Sequence, residues 1–406
     1  MRSAPMAWLG AALALTALGG CPPPETRPDR APAPPAADPT PDTEAVGPLT
    51  GATLKVDILD VGQGDAILLR SPSGKTVLID AGTGQKGEVA LPAIQALGVS
   101  ALDLVIATHP HSDHIGGMDE VLATLPAKLY LDNGLPHTTA TYSKLMALVE
   151  SKKIPYKAAK VGQTYNLGGG AKLTVLNPAG DPISGTRSDL NANSVVVRAT
   201  FGGTCFLFTG DAEAETEERM LANKVEPCDV LKAAHHGSGY ASTPAFLAAV
   251  APQVVLISVG QGNSYGHPDP SALARYADAK AKVYRTDLQG ALHLESDGTT
   301  VQMTPDRGEG FRIKGRAGAA SAPVATPSAG GAKTAAAAQA SDSLLDLNKA
   351  TAEQLVELPG IGEKTADLIV ADRAANGPFR SVDDLERVKG VGAATVDKVR
   401  GLVTVR

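Results

Sequence analysis

The segment that most constrains this chain is Leu104-Val-Ile-Ala-Thr-His109-Pro-His111-Ser-Asp113-His114. It begins with a short apolar run, which is typical of a strand buried in a parallel sheet. Three histidines and an aspartate then follow within six residues. Imidazole nitrogens and carboxylate oxygens are the ligands that Zn²⁺ and Mn²⁺ accept in proteins. The segment therefore predicts a buried strand that ends in a site for a divalent metal.

A second polar turn opens the same part of the chain. Strands are predicted at Leu54–Leu59 and Ala66–Arg70, on either side of Asp60-Val-Gly-Gln-Gly-Asp65, and a third at Thr76–Ile79 ends in Asp80. Polar side chains at strand ends commonly form the floor of an active site. Strands and helices then alternate along the chain, which predicts an α/β fold.

Further motifs follow the strands predicted in the second half of this region. They are Asn191-Ala-Asn193-Ser194, Thr209-Gly-Asp211, His235-His236-Gly-Ser238 and Asn263-Ser-Tyr-Gly-His267. Together with the His-x-His-x-Asp-His pattern, these motifs resemble the metallo-β-lactamase superfamily. The turn from Asp60 to Asp65 is similar to the opening of the metallo-β-lactamase domain of ComEC, a competence protein. The resemblance implies a hydrolase domain at residues 51–305 with the αββα sandwich fold. In this fold two mixed sheets lie face to face with helices outside, and the alternation of strands and helices supports it.

The same resemblance implies which residues hold metal. His109 and His111 would bind one divalent cation, Asp113 and His114 would bind a second, and Asp211 would bridge the two. In such hydrolases two cations, here Zn²⁺ or Mn²⁺, activate a water and hold the attacking and leaving oxygens of a phosphodiester. The chain departs from the common family pattern at one place. Asn191 and Asn193 stand where many members of the family carry another histidine ligand.

Two later histidines have alternative roles. His236 and His267 each follow a predicted core strand at the same edge of the sheet, so one would complete the second metal site and the other would protonate the leaving alkoxide. We predict that His267 is the metal ligand and that His236 is the proton donor. The predicted catalytic set contains Asp60, Asp113, Asn193 and His236.

Neighbouring polar residues are expected to be structural or solvated. For His235, a structural role with a bond to backbone and a catalytic role remain equally open. The acidic residues of the helix after Asp211 are predicted to form a solvated face without metal ligands; they are Glu213, Glu215, Glu217 and Glu218.

The N-terminus resembles that of an exported lipoprotein. Residues 1–20 contain one basic residue, Arg2, and an apolar run that is too short for a comfortable transmembrane helix. Leu18-Gly-Gly-Cys21 is similar to a lipobox, which implies lipidation of Cys21; an ordinary secretory signal is the alternative. Residues 21–50 are rich in proline and predict an extended spacer. We expect a lipid-anchored protein on the periplasmic face or the cell surface.

Cys205 and Cys228 remain as a pair once Cys21 is lipidated. An exported protein folds where disulfides are permitted. The sequence leaves a disulfide and two buried free thiols as equal alternatives.

A second, small domain is predicted at residues 343–406, after an Ala/Gly/Ser/Pro linker at 306–342. Its two Gly-x-Gly turns between short helices resemble the tandem helix-hairpin-helix domain of the competence DNA receptor ComEA. The resemblance implies an all-α domain. Backbone amides of this domain would hold DNA phosphates without reading the base sequence. A helix bundle with glycine C-caps is the alternative. The predicted DNA-binding residues are Gly360, Ile361, Gly362, Lys364, Gly390, Val391 and Gly392.

Charge limits the affinity to be expected from this domain. Residues 341–406 carry nine Lys/Arg and eleven Asp/Glu, and the whole chain has a net charge of −6. A broad basic footprint is therefore missing, and the DNA affinity should be modest.

The resulting hypothesis is an exported, lipid-anchored, metal-dependent hydrolase, a DNA phosphodiesterase or nuclease related to competence. DNA, the membrane and the DNA-uptake machinery are the expected partners, and the sequence does not predict an oligomeric state. After the signal no apolar stretch reaches about 18 residues, so no membrane channel is expected. The alternatives are a DNA-binding surface receptor with a vestigial metal site, or a metallo-hydrolase of another phosphodiester or ester.

Overall fold

The computed structural model describes residues 49, 51–84, 90–316, 345–356, 358, 361–400 and 402–405. The predicted signal peptide, Cys21, the proline-rich spacer apart from residue 49, residues 317–342 of the predicted linker, and residues 343–344 of the predicted second domain lie outside the described residues. Among the helices described, none has both the length and the apolar character needed to cross a membrane.

The described strands, in chain order, are β1 Leu54–Ile58, β2 Ile67–Arg70, β3 Thr76–Ile79, β4 Leu104–Ile106, β5 Tyr130–Asp132, β6 Tyr156–Ala158, β7 Thr164–Gly168, β8 Ala171–Asn177, β9 Val196–Phe201, β10 Thr204–Phe208, β11 Val230–Lys232, β12 Val254–Ile257, β13 Lys282–Arg285, β14 Leu292–Ser296, β15 Thr300–Pro305, β16 Phe311–Lys314, β17 Leu345–Asp346 and β18 Val403–Thr404.

The described α-helices are α1 Ala90–Ala96, α2 Ser112–Ile115, α3 Met118–Thr124, α4 Ala140–Ser151, α5 Asp189–Ala192, α6 Ala214–Ala222, α7 Pro244–Val250, α8 Pro270–Asp278, α9 Thr286–Gln289, α10 Ala352–Val356, α11 Glu363–Asn376 and α12 Ala393–Val399. Two 3₁₀ segments occupy Ala234–Gly237 and Val382–Arg387.

Two sheets form the first domain, residues 54–314, which we call the head domain. The first sheet has the strand order β16-β15-β14-β1-β2-β3-β4-β5-β6, and the second has the order β13-β12-β11-β10-β9-β8-β7. Strands β3 and β4 are parallel, as are β10, β11 and β12. The first sheet continues to Lys314, beyond the domain end predicted at residue 305, because β16 pairs with β15 and buries Phe311 against the core. That part of the predicted linker belongs to the head domain.

Three apolar layers show that the αββα sandwich predicted from the sequence is correct. One cluster lies between the sheets and joins side chains of both, including Val56, Leu69 and Phe206. A second covers the outer face of the first sheet with α1, α3 and α4, and a third covers the outer face of the second sheet with α6, α7 and α8. Burial on both faces explains why the central strands are almost continuously apolar.

The helix after Asp211 corrects one prediction. Glu215 and Glu218 are exposed, as expected for a solvated face, but Glu213 and Glu217 are only 2% and 1% exposed. Both carboxylates are buried because they accept hydrogen bonds that compensate for lost hydration. Glu217 accepts the backbone N–H groups of Ser242 and Thr243 at the start of α7, at 2.5 and 2.7 Å.

Cys205 and Cys228 form a disulfide, which decides between the two alternatives left by the sequence. The bond joins β10 to the residues just before β11. These two strands carry Asp211 and the His235–His236 pair at their ends, so the disulfide crosslinks the part of the second sheet that supports them.

The second domain, predicted at residues 343–406, is called the tail domain and is built from two helical hairpins. Its apolar cluster includes Leu355, Ile361 and Val391. The short strands β17 and β18 pair in parallel at its two ends, an addition to the all-α architecture expected from the sequence.

Candidate metal centre and tail hairpins

The metal-site segment turns sharply after β4. Asp113 and His114 lie on α2, a single helical turn that directly follows His111. Gly64 packs against this turn so closely that a Cβ on it would lie 2.1 Å from the Asp113 carbonyl oxygen. The next residue, Asp65, donates its N–H to the same oxygen at 3.2 Å. A glycine in the Asp60–Asp65 turn is therefore required for the turn to hold Asp113 in place.

The second sheet delivers its histidines through an unusual turn. His235 and His236 both adopt left-handed backbone conformations, with φ of 50° and 52°. Such conformations cost about 1–3 kcal/mol each in non-glycine residues and cluster at functional sites. Gly237 follows with φ of +83°, and a Cβ there would lie 2.7 Å from the Pro268 Cβ. The turn aims both imidazoles at the end of β10.

Four side chains from the two sheets converge into one cluster of metal-binding type. One donor atom from each of Asp113, His114, Asp211 and His236 lies within 4.8 Å of the others. The His114 Nε2 is 3.2 Å from the Asp211 Oδ2, and the His236 Nε2 is 3.1 Å from the Asp113 Oδ2. The cluster contains two imidazoles and two carboxylates, a donor set that suits a divalent transition metal.

Buried atoms in the cluster fit a bound cation. The His114 Nε2 and the Asp211 Oδ1 are buried and make no hydrogen bond to the described residues. A buried polar atom without a partner is costly unless something else, such as a metal, satisfies it. The donor types and these two atoms therefore fit the metal that the sequence predicts.

His109 and His111 lie beside this cluster. The His109 Nε2 is 3.0 Å from the His111 Nδ1 and 3.8 Å from the Asp211 Oδ2. Asp211 thus faces both the four-residue cluster and the His109–His111 pair, which is the arrangement expected of a bridging carboxylate. Among the described residues the pair does not itself belong to a group of three or more donors, in keeping with asparagines at 191 and 193.

Asp80 and Thr108 orient His114. The Asp80 Oδ2 lies 2.7 Å from the His114 Nδ1 and accepts the Thr108 hydroxyl at 2.7 Å. A carboxylate on Nδ1 holds that nitrogen protonated and leaves Nε2 with its lone pair toward the cluster. The sequence placed Asp80 only at the end of a strand, and its support of a metal ligand was not predicted.

Asp65 makes a buried ion pair with Lys232, which is fully buried in β11. Asp65, Asp80 and His114 also form a group of metal-binding type. Lys232 makes Asp65 a poor ligand, because a cation bound there would face the ammonium group. We therefore assign Asp65 and Asp80 to the support of the centre. A lysine inside a predicted core strand is the signal that could have revealed this pair, since buried charges need partners.

His236 and His267 occupy different positions relative to the four-residue cluster. The His236 Nδ1 lies 2.9 Å from the carbonyl oxygen of Ser258, which directs Nε2 into the four-residue cluster. His267 is not a member of that cluster; its ring centroid lies 5.3 Å from that of His235 and 6.2 Å from that of His236. The geometry thus favours His236 as ligand and leaves His267 beside the centre, the reverse of the roles predicted from the sequence.

His235 is held by a side chain instead of by backbone alone. Its Nδ1 lies 3.0 Å from the Glu213 Oε1, and its Nε2 lies 3.7 Å from the Asp211 Oδ2. Arg187 and Asn191 bond to the same Glu213 oxygen. Glu213 therefore links a residue of the centre to two groups that surround it, a role that the sequence did not predict.

Asp60 and Asn193 lie outside the cluster. The Asp60 Oδ1 accepts the Gly62 N–H at 3.3 Å within its own turn. Asn193 uses both ends of its amide to brace the preceding loop, with the Ile183 N–H donating to Oδ1 at 2.9 Å and Nδ2 donating to the Ile183 carbonyl at 2.8 Å. These contacts indicate structural roles, and catalytic roles for Asp60 and Asn193 stay predictions.

The carboxylates and imidazoles of the centre polarise one another. Burial lowers the pKa of His236, but Asp211, Asp113 and Asp65 outweigh it and raise the pKa to about 9. Burial opposed by Asp211, Asp113 and Asp80 likewise leaves the pKa of His114 well above its usual value. In contrast, burial lowers the pKa of His111 to about 4. Without a cation, His114 and His236 are thus charged at neutral pH, whereas His111 is neutral.

The two tail hairpins repeat the same geometry. The N–H groups of Ile361 and Val391 bond to the carbonyls three residues earlier at 3.0 Å, and Gly362 and Gly392 are exposed N-caps of α11 and α12. A Cβ on Gly362 or Gly392 would meet no atom within 4 Å. Gly390 has φ of +96°. Gly360 and the side chain of Lys364 lie outside the described part of the chain.

The sequence matches two family models. Residues 59–261 match the metallo-beta-lactamase superfamily, and residues 341–404 match the helix-hairpin-helix motif. The first match spans half of the chain, so this chain belongs to the metallo-β-lactamase superfamily and has a metallo-hydrolase fold followed by a helix-hairpin-helix region. The resemblance predicted from the motifs is confirmed.

Bacterial competence proteins are among its relatives. ComE operon protein 3 of Bacillus subtilis is 30% identical over 262 residues, covering 59% of this chain and 32% of that protein. Competence protein ComA of Neisseria gonorrhoeae is 30% identical over 244 residues, covering 59% and 32%. ComE operon protein 1 of Bacillus subtilis is 35% identical over 63 residues, covering 16% and 31%. The matched region spans about a third of the length of each relative.

We predict that metal binding releases protons. A divalent cation has to displace the protons on His114 and His236, so its affinity should increase as the pH rises toward about 9, the pKa of His236. Calorimetric titration at pH 7 in two buffers of different ionisation enthalpy measures the number of protons released. His293→Gln is the control, because His293 pairs with Asp57 outside the cluster. An affinity that does not change with pH would contradict the assignment.

Proposed function

We propose that this chain is a metal-dependent DNA phosphodiesterase, exported and lipid-anchored, whose tail domain holds the DNA backbone without reading its sequence. The observation that carries this proposal is the cluster of Asp113, His114, Asp211 and His236, on one chain with a tandem helix-hairpin-helix domain. The cluster supports hydrolysis, and the exposed amide ends of the hairpins support a phosphate polymer as the substrate.

Divalent cations, Zn²⁺ or Mn²⁺, would supply Lewis acidity and lower the pKa of a water at this centre. We assign one cation to the four-residue cluster, and a second to His109 and His111 with Asp211 shared between them. Asp80 and the Ser258 carbonyl keep the Nδ1 atoms of His114 and His236 engaged, so that each Nε2 stays available as a ligand atom.

His267 is the residue to which we assign protonation of the leaving alkoxide. His236 cannot serve both purposes, because its Nε2 faces the ligand cluster and its Nδ1 faces the Ser258 carbonyl. His267 lies beside His235 and His236, and Asn263 fixes its backbone through both the N–H and the carbonyl. A fixed imidazole next to the centre is suited to general acid catalysis, which contributes about 10²–10⁴ in rate.

Paired substitutions test this division of roles. His236→Gln should lose bound metal together with activity, whereas His267→Gln should retain metal and lose about 10²-fold or more in kcat. Metal content is measured by mass spectrometry on protein dialysed against a metal-buffered solution. The control, His293→Gln, should keep both. Loss of metal in His267→Gln with full metal in His236→Gln would restore the roles predicted from the sequence.

A second set of variants separates catalysis from DNA binding. Asp211→Ala removes the shared carboxylate, so turnover should fall by about 10³-fold or more while the tail still binds DNA. Gly362→Val with Gly392→Val should raise KM for long DNA and leave kcat nearly unchanged, because bulk at these open positions blocks phosphate approach. The same double variant should cleave a dinucleotide like the parent, since a dinucleotide cannot reach both domains.

The outcome also separates this function from the alternatives. A parent chain that binds DNA but cleaves neither DNA nor the dinucleotide with Mn²⁺, Mg²⁺ or Zn²⁺ would indicate a receptor with a vestigial centre. Cleavage of other phosphodiesters or esters in preference to DNA would indicate a different hydrolase. Equal cleavage by Asp211→Ala and the parent would refute the assigned centre.

Anchoring is proposed from Leu18-Gly-Gly-Cys21 after an apolar run. Cys21→Ser should release the protein from the membrane fraction into the soluble fraction, because one lipid-bearing residue supplies the attachment. Immunoblots of fractionated cells after a salt wash measure the distribution. Retention of the variant on membranes would refute lipidation at this cysteine.

The relationship to competence proteins further supports the proposal that the chain acts beside a DNA-uptake machine.

A further inference from the structure

The loops that carry the histidines of the second sheet also contact the tail domain. Tyr240 follows the His235–His236 turn, and Ser264 and Tyr265 precede His267 in the next loop. We call Tyr240, Ser264 and Tyr265 the rim. Asn263 fixes the second loop by bonding to the Gly260 and His267 carbonyls at 3.0 and 2.7 Å. The rim is therefore attached to the same braced segments as the centre itself.

Three contacts join the rim to the tail. The Ser264 hydroxyl donates to the Asp367 Oδ1 at 2.5 Å, and the Gln354 side-chain amide donates to the Tyr240 hydroxyl at 3.4 Å. Tyr265 packs against the apolar cluster of the tail on one side and stacks with His267 on the other, at a centroid distance of 6.1 Å. One tyrosine ring thus connects the tail core to a residue beside the metal cluster.

The contacting tail residues lie on either side of the first hairpin. Gln354 belongs to α10, which precedes the hairpin, and Asp367 belongs to α11, which follows it. Asp367 is five residues beyond Gly362, the N-cap of α11, which corresponds to about 8 Å along a helix. The N-terminal amides of α11 therefore lie within about two helical turns of a rim contact.

We propose that the tail domain docks on the rim through the first hairpin, so that a DNA strand held at the α11 N-terminus continues directly into the metal centre. The proposal rests on the proposed DNA function and makes the tail a guide for the substrate. A tail that moves independently on its linker would have to find the centre anew at each turnover.

Crosslinking tests the docking. Ser264→Cys with Asp367→Cys, in a full-length Cys21→Ser chain with a protease site in residues 317–344, should retain the tail covalently after a short thiol crosslinker and proteolysis. The control pairs Ser264→Cys with Asp397→Cys, because Gly392-Ala-Ala-Thr-Val-Asp397 repeats the spacing of Gly362-Glu-Lys-Thr-Ala-Asp367. No crosslink in the first pair, or equal crosslinking in both, would overturn docking through the first hairpin.

The crosslinked chain also shows whether the docked tail guides DNA into the metal centre or blocks access to it. If the docked tail guides DNA, crosslinking should leave kcat/KM for a long oligonucleotide within about twofold of the same variant before crosslinking. A loss of about tenfold or more on DNA, with hydrolysis of bis(p-nitrophenyl) phosphate retained, would show that the docked tail covers the centre and would overturn the proposal.

Failure of the proposed function is separable from failure of this inference. The crosslink is scored on a gel without substrate, so it remains decisive for docking if the chain cleaves no phosphodiester. DNA affinity, measured by fluorescence anisotropy, then replaces cleavage. Crosslinking should leave the affinity within about twofold, and a tenfold loss, about 1.4 kcal/mol, would overturn the guide.

Discussion

The metal centre depends on the buried ion pair between Asp65 and Lys232. Asp65 belongs to the turn that joins β1 and β2 in the first sheet, and Lys232 belongs to β11 in the second. Both are essentially inaccessible to solvent, so neither charge is stabilised by water. Removing one partner of such a pair costs about 3–5 kcal/mol, because the other charge remains buried and uncompensated. The pair therefore fixes how the two sheets meet directly beneath the centre.

The position of the Asp65–Lys232 pair explains how the metal-ligand residues next to it are arranged. The Asp65 Oδ1 is 3.5 Å from the His236 Nδ1, and the Asp65 Oδ2 is 4.0 Å from the His114 Nδ1. One carboxylate thus lies behind a ligand from each sheet, while Lys232 neutralises its charge. Because the four clustered donors come from both sheets, the centre exists only when the sandwich is assembled, and metal binding should stabilise the folded chain.

The sequence predicted what periodicity and strand ends can reveal. The alternation of buried strands with helices indicates the α/β class, and the family resemblance implied the αββα layers. The donors His109, His111, Asp113, His114 and Asp211 each follow a predicted strand. The choice between His236 and His267 could not be made in this way, because both follow strands at the same edge. The geometry favours His236 as the ligand because of the left-handed backbone at His235 and His236, which no hydrophobic pattern encodes.

Long-range polar partners were the other features beyond the reach of sequence. Glu213 was expected to be solvated because it stands among other acidic residues, yet His235, Arg187 and Asn191 surround it. These partners are between 22 and 26 positions away along the chain. The contact of Ser264 with Asp367 spans 103 positions. Side chains this far apart meet only because the fold brings them together, so local composition gives no sign of them.

The docking proposed for the tail explains how a net acidic domain would hold DNA. A domain with more acidic than basic residues gains little from the long-range attraction that most DNA-binding proteins use. In the proposed function, its grip on DNA comes from amides at helix ends, which act only at short range. Short-range contacts are most useful when the catalytic centre is already positioned next to them, because the cost of bringing the two together is then paid on folding instead of on binding. A net acidic tail and a rim that holds it beside the centre are therefore consistent with each other.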